Sequence, residues 1–277
     1  MCYHISFEVK LESILDYFPE AVVDTQLTMN FPSASYINGF DHKMHPVMYF
    51  DSVDRKNHLT KMMWGYLPGY IQNWEHAQRF WNGYNNEKGI FIKGYTTLNV
   101  VGDEILEKTM WRESALKRRC VIFIDGFYEW RHIFPIGKKG QQLKTAVKYP
   151  YHIFSTSKES PFTMLAGVYN PWTHTDVDKD TGEVTTETIL TVAIATSKAN
   201  KLMEQIHNSK KRMPTIINLA QAKEWLNPQL SEERIVQIAS NQYPAKEMNA
   251  FTIPKDFQQC GDPKKKFTYN DVPELVI

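Results

Sequence analysis

The chain has 277 residues, 42% hydrophobic and 23% charged, with 32 basic and 31 acidic side chains for a net charge of +1. That is the composition of a folded globular protein able to bury a substantial core, and it excludes a disordered chain. The near balance of charge also excludes a global field that would draw the whole chain to nucleic acid, so any such role has to rest on local patches. Residues 1–20 carry acidic and polar side chains with neither a basic leader nor an apolar stretch, so no secretory signal is read there. The notable apolar stretch 120–124 is far too short to cross a bilayer. Cysteines at 2, 120 and 260 are odd in number and widely spaced, which fits a reducing compartment and gives neither a disulfide framework nor a zinc pattern. The expectation is a cytoplasmic protein with no membrane association, no metal and no cofactor.

In chain order, residues 89–95 read as a strand that ends in the polar Thr96-Thr97-Leu98-Asn99. Residues 104–117 place Ile105, Leu106, Met110, Trp111 and Leu116 among charges at a spacing that fits a short helix or two helical turns. The run 120–130 is rich in β-branched and aromatic residues and reads as a buried strand interrupted by Gly126, where a bulge or a close backbone approach is expected. Residues 133–148, with two glycines and several lysines, read as an exposed hairpin loop. Further strands are read at 151–155, 163–169 and 188–196, with a turn at Asp180-Thr181-Gly182. Helical patterns follow at 198–207, 219–226 and 231–240. Strands before helices, without regular βαβ alternation, favour an α+β fold. Residues 263–277 read as an irregular tail. Basic clusters occur at Lys117-Arg118-Arg119, at Lys138-Lys139 with Lys144 and Lys148, at Lys210-Lys211-Arg212 and at Lys264-Lys265-Lys266, each of which is most simply a solvated face.

Cys2 is the residue with the most unusual chemistry on offer. Removal of Met1 leaves an α-amine and a thiol on adjacent carbons, a 1,2-aminothiol that condenses with an aldehyde to a five-membered thiazolidine. The amine titrates at about 7.7 to 8.0 and the thiol at about 8.5, so both nucleophiles are available near neutral pH. Four other places carry candidate chemistry. Glu129 follows Phe127 and Tyr128 on the buried run, and desolvation there raises a carboxyl toward the range of general acid-base work; the plain alternative is a surface acid on an edge strand, with Asp125 a turn former. His207, after a helical segment and before the basic cluster ending in Arg212, can shuttle protons or merely cap the helix. Asn99 can orient a sugar oxygen or simply form a turn. Trp64, Pro68 and Trp74 can stack on bases or belong to the core.

Taken together, Met1-Cys2, Trp64-Gly-x-Leu-Pro68, Asn99, Arg118-Arg-Cys-x-x-x-x-Asp-Gly-Phe-Tyr-Glu-Trp130 and Ile206-His207 leading to Arg212-Met-Pro214 resemble the SOS response-associated peptidase family, the abasic-site processing proteins. The resemblance runs from Met1 to about Asn218. It implies one α+β catalytic domain over residues 1–262, built of mixed, mostly antiparallel sheets in a barrel-like core with flanking helices, followed by the tail. It implies a monomer acting in the DNA damage response. The cysteine exposed by loss of Met1 cross-links to the ring-opened aldehyde of an abasic site in single-stranded DNA and shields the lesion from strand cleavage, with Met1-removing autopeptidase and lyase activity as further possibilities. On this reading Cys2 is the nucleophile, Asn99 helps hold the sugar, Glu129 transfers protons and His207 assists ring opening or reversal, while Trp64, Pro68, Trp74, Arg118, Lys210, Lys211 and Arg212 contact DNA.

Three features depart from the family pattern. His4 stands where relatives carry an arginine, Val101 where many carry a basic residue, and four residues separate His207 from Arg212. Two other readings stay open at this point: a thiol peptidase with Cys2 as nucleophile and His207 as base, and a non-catalytic module for single-stranded nucleic acid.

Overall fold

The β-branched and aromatic runs pair into two large sheets, beside a small two-stranded one, in the computed structural model, which describes residues 2–276. The strands are β1 (His4–Phe7), β2 (Val22–Val23), β3 (Ala34–Asn38), β4 (Met44–Asp51), β5 (Lys56–Trp64), β6 (Tyr84–Asn85), β7 (Phe91–Ile92), β8 (Asn99–Val101), β9 (Arg119–Ile124), β10 (Gly126–Ile133), β11 (Val147–Ser155), β12 (Thr163–Val177), β13 (Val184–Lys198), β14 (Arg212–Pro214), β15 (Ile216–Ile217) and β16 (Met248–Thr252). The helices are α1 (Leu11–Tyr17), α2 (Thr25–Met29), α3 (Trp74–Asn82), α4 (Thr109–Lys117), α5 (Lys201–Ile206), α6 (Leu219–Trp225) and α7 (Glu232–Ala239).

Five strands close a barrel. β5, β4, β9, β12 and β13 pair antiparallel in that order, and a short parallel pairing of Thr191 with Met63 and Val192 with Trp64 joins β13 back to β5. Closure removes the unpaired edges of the sheet. A second antiparallel sheet, ordered β16-β11-β10-β1-β3, packs beside it. The fold is thus the mixed α+β arrangement with a barrel-like core that the sequence implied.

The interruption at Gly126 is a change of sheet: β9 lies in the barrel and β10 in the second sheet. Asp125 forms the corner, its carboxylate accepting from Glu8 N at 2.8 Å and from Ser6 Oγ at 3.0 Å, so it binds a neighbouring segment rather than its own turn. The close approach expected at Gly126 is present, since a Cβ there would lie 2.3 Å from His152 Nε2.

One core lies between the barrel and helices α1, α4, α6 and α7, around Phe7, Ile14, Phe123, Trp225 and Ile238. A second lies between the two sheets and α5, and it contains Cys2 with Ile5, Phe127, Leu202, Met203 and Ile206. Arg119 is buried yet satisfied. Its guanidinium donates to the carbonyls of Ala115, Leu116, Trp225 and Asn227, which lie at the C-terminal ends of α4 and α6, where a cation is favoured.

One expectation is revised and two are given detail. The strand read at 89–95 reduces to the two exposed residues of β7 paired with β6, because glycines at 83, 89 and 94 bracket the segment. Residues 104–117 divide into a 3-10 turn ending at Glu104 and α4, which starts at Thr109. The tail after 262 has no regular structure but is tied down: Lys264 pairs with Asp125 and Glu8, Asp271 accepts from Tyr149, and Arg131 donates to the Pro273 carbonyl at 2.6 Å. No helix among the described residues is long and apolar enough to cross a membrane, and all three cysteines are free.

Candidate functional site

Each member of the candidate site is placed by its local structure. Along β10, side chains alternate between faces. Tyr128 packs with Ile253 and Phe257 on one face, while Phe127 joins the core that contains Cys2 on the other, and Glu129 shares the face of Phe127. Asn200 caps α5 by accepting from Met203 N at 3.0 Å, and α5 buries Leu202, Met203 and Ile206 against the same core, leaving His207 in the turn beyond. Asn99 opens β8, which runs parallel to β13, and Leu98 fixes its start by accepting from Trp64 Nε1 at 2.9 Å.

The structure brings Cys2, Asn99, Glu129 and His207 together. Asn99 Nδ2 donates to the Cys2 carbonyl at 2.9 Å, and its Oδ1 is buried with no partner among the described residues. Glu129 Oε2 lies 3.9 Å from His207 Nε2. The Cys2 thiol is fully buried, and among the described residues its acceptor is the distant His4 carbonyl at 4.0 Å. Burial first, and then the negative charge of Glu129, push its pKa well up, which places the thiol within electrostatic reach of that carboxyl.

The two titrating groups are moved in opposite directions. Burial pushes Glu129 up to about 7, so its carboxyl gains and loses a proton near neutral pH. Burial pushes His207 down to about 4, so its ring is neutral there. His207 Nδ1 lies 2.7 Å from the Arg212 carbonyl, which only accepts, so Nδ1 carries the proton and Nε2 presents a lone pair toward Glu129. A proton donor-acceptor and a neutral base therefore stand beside a thiol that has to lose its proton to react, the separation of roles that environment gives paired titrating groups.

The expected DNA contacts are distributed differently. Trp64 and Pro68 are buried and present no face for stacking, because Trp64 fills the barrel end beneath Gly39 and Leu98. Trp74 is half-buried edge-on against Trp172, 4.9 Å between ring centroids. Arg118 is held by Glu113 at 3.1 Å and Ser114 at 3.2 Å. Arg212 faces Asp103 at 3.4 Å and bonds Thr196, so its most direct contribution to the site is its carbonyl on His207. Lys210 and Lys211 are exposed. His4, half-buried between Tyr36 and Trp130, is pushed down by burial to about 4 and is not a cation at neutral pH.

The sequence reading missed the groove that leads to Asn99. A cleft of about 530 Å³, lined by Tyr95, Thr97, Asn99, Val101, Glu104 and Trp111, shares Tyr95 with a cleft of about 610 Å³ bordered by His76, Arg79, Tyr84 and Lys93. Tyr95 stacks on Phe80 at 5.1 Å, yet it remains 61% exposed, as does Tyr70 at 59%. The signal for these two was present in Pro68-Gly69-Tyr70 and Gly94-Tyr95, where an aromatic follows a turn residue and so has little chance of joining a strand core.

The closed barrel and the buried cysteine among groups that move protons define a cysteine-centred site on a small α+β scaffold. The model of the SOS response associated peptidase family matches residues 1–260, and the chain belongs to that family. It is 28% identical over 220 residues to abasic site processing protein YoqW of Bacillus subtilis, covering 79% of this chain and 76% of the relative. It is 26% identical over 255 residues to abasic site processing protein YoaM of the same organism, covering 91% of each. A crystal structure of a protein from Bacteroides thetaiotaomicron is similar at a TM-score of 0.69 and 28% identity, over 95% of this chain and 97% of that one.

Proposed function

We propose that this protein processes abasic sites by capturing the ring-opened sugar in single-stranded DNA as a thiazolidine on Cys2, after loss of Met1, and so shields the strand from cleavage. The observation that carries this reading is the convergence of Cys2, Asn99, Glu129 and His207 in one buried site at the end of a groove.

The chemistry follows from the groups present. The closed sugar opens when a proton moves from its C1′ hydroxyl to the ring oxygen, a transfer suited to Glu129 at neutral pH. The Cys2 amine attacks C1′, and a protonated Glu129 assists the departing hydroxyl, which leaves as water and gives an imine. Sγ then adds to the imine carbon as its proton is withdrawn by Glu129 or His207, and the ring nitrogen takes up a proton. The sum is aldehyde plus aminothiol giving thiazolidine plus one water. The buried Oδ1 of Asn99 is an acceptor suited to a sugar hydroxyl. The exposed Tyr95 along the groove suits the stacking that holds single strands without reading sequence.

The same groups support hydrolytic removal of Met1 as a second activity, with His207 Nε2 as base, which accords with the family's description as a peptidase. We place the protein in the cytoplasm, in keeping with its three free cysteines, and propose that it acts as a monomer. The test is intact-mass analysis of the protein before and after mixing with an abasic single-stranded oligonucleotide. Loss of Met1 and a covalent adduct less one water are expected. Capture by Cys2→Ala at the parent's rate, or an active protein that retains Met1, refutes the reading.

A further inference from the structure

Positive charge is concentrated in one part of the chain. Residues 130–158 contain no acidic side chain, while Arg131, Lys138, Lys139, Lys144, Lys148 and Lys158 supply six positive charges in a protein whose net charge is +1. Three of these, Lys138, Lys139 and Lys144, lie on the loop between β10 and β11, with Arg131 and Lys148 on the strands that flank it, and the loop is ordered by its own backbone. Gly137 N donates to Gln141 O at 2.7 Å, Leu143 N donates to Pro135 O at 2.8 Å, Ile136 bridges Gln142, and Gly140 turns the tip at a φ of 78°. The result is a two-stranded ribbon extending the sheet beyond Ile133 and Val147. Lys138, Lys139 and Lys144 on it, and Lys148 at its base opposite His132, are all exposed and belong to no ion pair among the described residues. Phe134, Ile136 and Leu143 are exposed beside them, at 43%, 67% and 41%.

The base of the ribbon is joined to the site. His132 N donates to Asn208 Oδ1 at 3.0 Å, and Asn208 Nδ2 donates back to the His132 carbonyl at 2.7 Å. Asn208 follows His207 directly and begins the turn that exposes Lys210 and Lys211. The ribbon and this turn therefore make one basic ridge running outward from His207, whereas the aromatic groove approaches the site through Tyr95 and Asn99.

We propose that this ridge is the track for the phosphodiester backbone of single-stranded DNA on the His207 side of the lesion. The proposal rests on the function proposed above and adds where the strand runs. Unpaired lysines spaced along an extended ribbon suit a chain that repeats one negative charge per nucleotide, and the interspersed apolar side chains suit its exposed bases. Arg118 and Arg212, the arginines expected from sequence to contact DNA, are engaged with Glu113 and Asp103, which leaves the ridge lysines to supply the charge.

The test is binding of an unmodified thymidine oligonucleotide by the full chain at graded salt concentrations. Every lysine that no longer neutralises a phosphate reduces the slope of log affinity against log salt by about 0.7, so Lys138→Gln/Lys139→Gln/Lys144→Gln is expected to reduce it by about 2. A control, Lys10→Gln/Lys56→Gln/Lys223→Gln, removes three exposed lysines elsewhere and is expected to leave the slope unchanged. The control variant is expected to capture an abasic oligonucleotide at the parent's rate, and the ridge variant to need more oligonucleotide to reach half its maximal capture rate. An unchanged slope in the ridge variant, an equal fall in the control, or displacement by polyglutamate as effective per charge as the oligonucleotide overturns the proposal. If the slope falls as expected while the parent forms no adduct, the track stands and the capture reading fails.

Discussion

Replacement of Glu129 by Gln separates its chemical role from its cost to the fold. The carboxyl is 6% exposed, and burial raises its pKa from 4.5 to about 7. A raised pKa means that the folded chain holds the proton more tightly than the unfolded chain does. The stability linked to that proton is therefore complete below about 4.5 and is lost as pH rises through about 7. Across that window the difference corresponds to about 3 kcal/mol. Gln keeps the shape and cannot ionise. Urea unfolding of the parent and Glu129→Gln should give a stability difference that shifts in favour of the variant by about 3 kcal/mol between about pH 4 and pH 8. Over the same range the variant should lose most of its capture of abasic oligonucleotide. A difference independent of pH refutes the assignment of the raised carboxyl pKa to Glu129, and undiminished capture refutes its role in proton transfer.

Asn99→Ala removes the donor to the Cys2 carbonyl; it is expected to cost about 1 kcal/mol in urea unfolding and to slow single-turnover capture by about tenfold or more. Gly126→Ala brings a methyl within 2.3 Å of His152 Nε2 and is expected to destabilise the chain by about 1 to 3 kcal/mol, read from the denaturation midpoint. Burial lowers His45 to about 4, so the folded chain disfavours its protonation, and stability present above about 6.5 is lost as pH falls toward 4. His45→Gln, which can keep a donor to the Phe123 carbonyl, should flatten part of that acid limb in unfolding titrations.

Local patterns made several elements legible in the sequence. The β-branched run at 120–124, the turn at Gly182 and the helix after Asn200 are specified within a few residues each, and they occur near where they were expected. The barrel was legible only through the resemblance, because the closing pairing of Thr191 with Met63 is parallel, short and remote in sequence, and it leaves no local signature. The role of Asp125 as a corner was hidden for the same reason, since its partners Ser6 and Glu8 lie far away along the chain. Of the site, the residue types were readable from chemistry and their grouping only from resemblance. Trp64 and Pro68 show the limit of reading aromatics as surface, for a tryptophan that ends a barrel strand is drawn inward. Arg212 shows the limit of reading charge, because a carboxylate on the neighbouring turn engages it.

The parallel pairing of β5 with β13 also sets an order of events during synthesis. The barrel cannot close until the strand containing Thr191 and Val192 has emerged, and α5, which covers Cys2, follows later still. Contacts this remote in sequence form late. Through most of translation the N-terminus of the nascent chain is therefore unshielded and open to enzymes of the cell, whereas in the finished fold Cys2 is sealed beside Asn99. For the Met1 removal that we propose, an external enzyme therefore has a window that closes on folding, and after that closure the step falls to the buried groups beside Cys2.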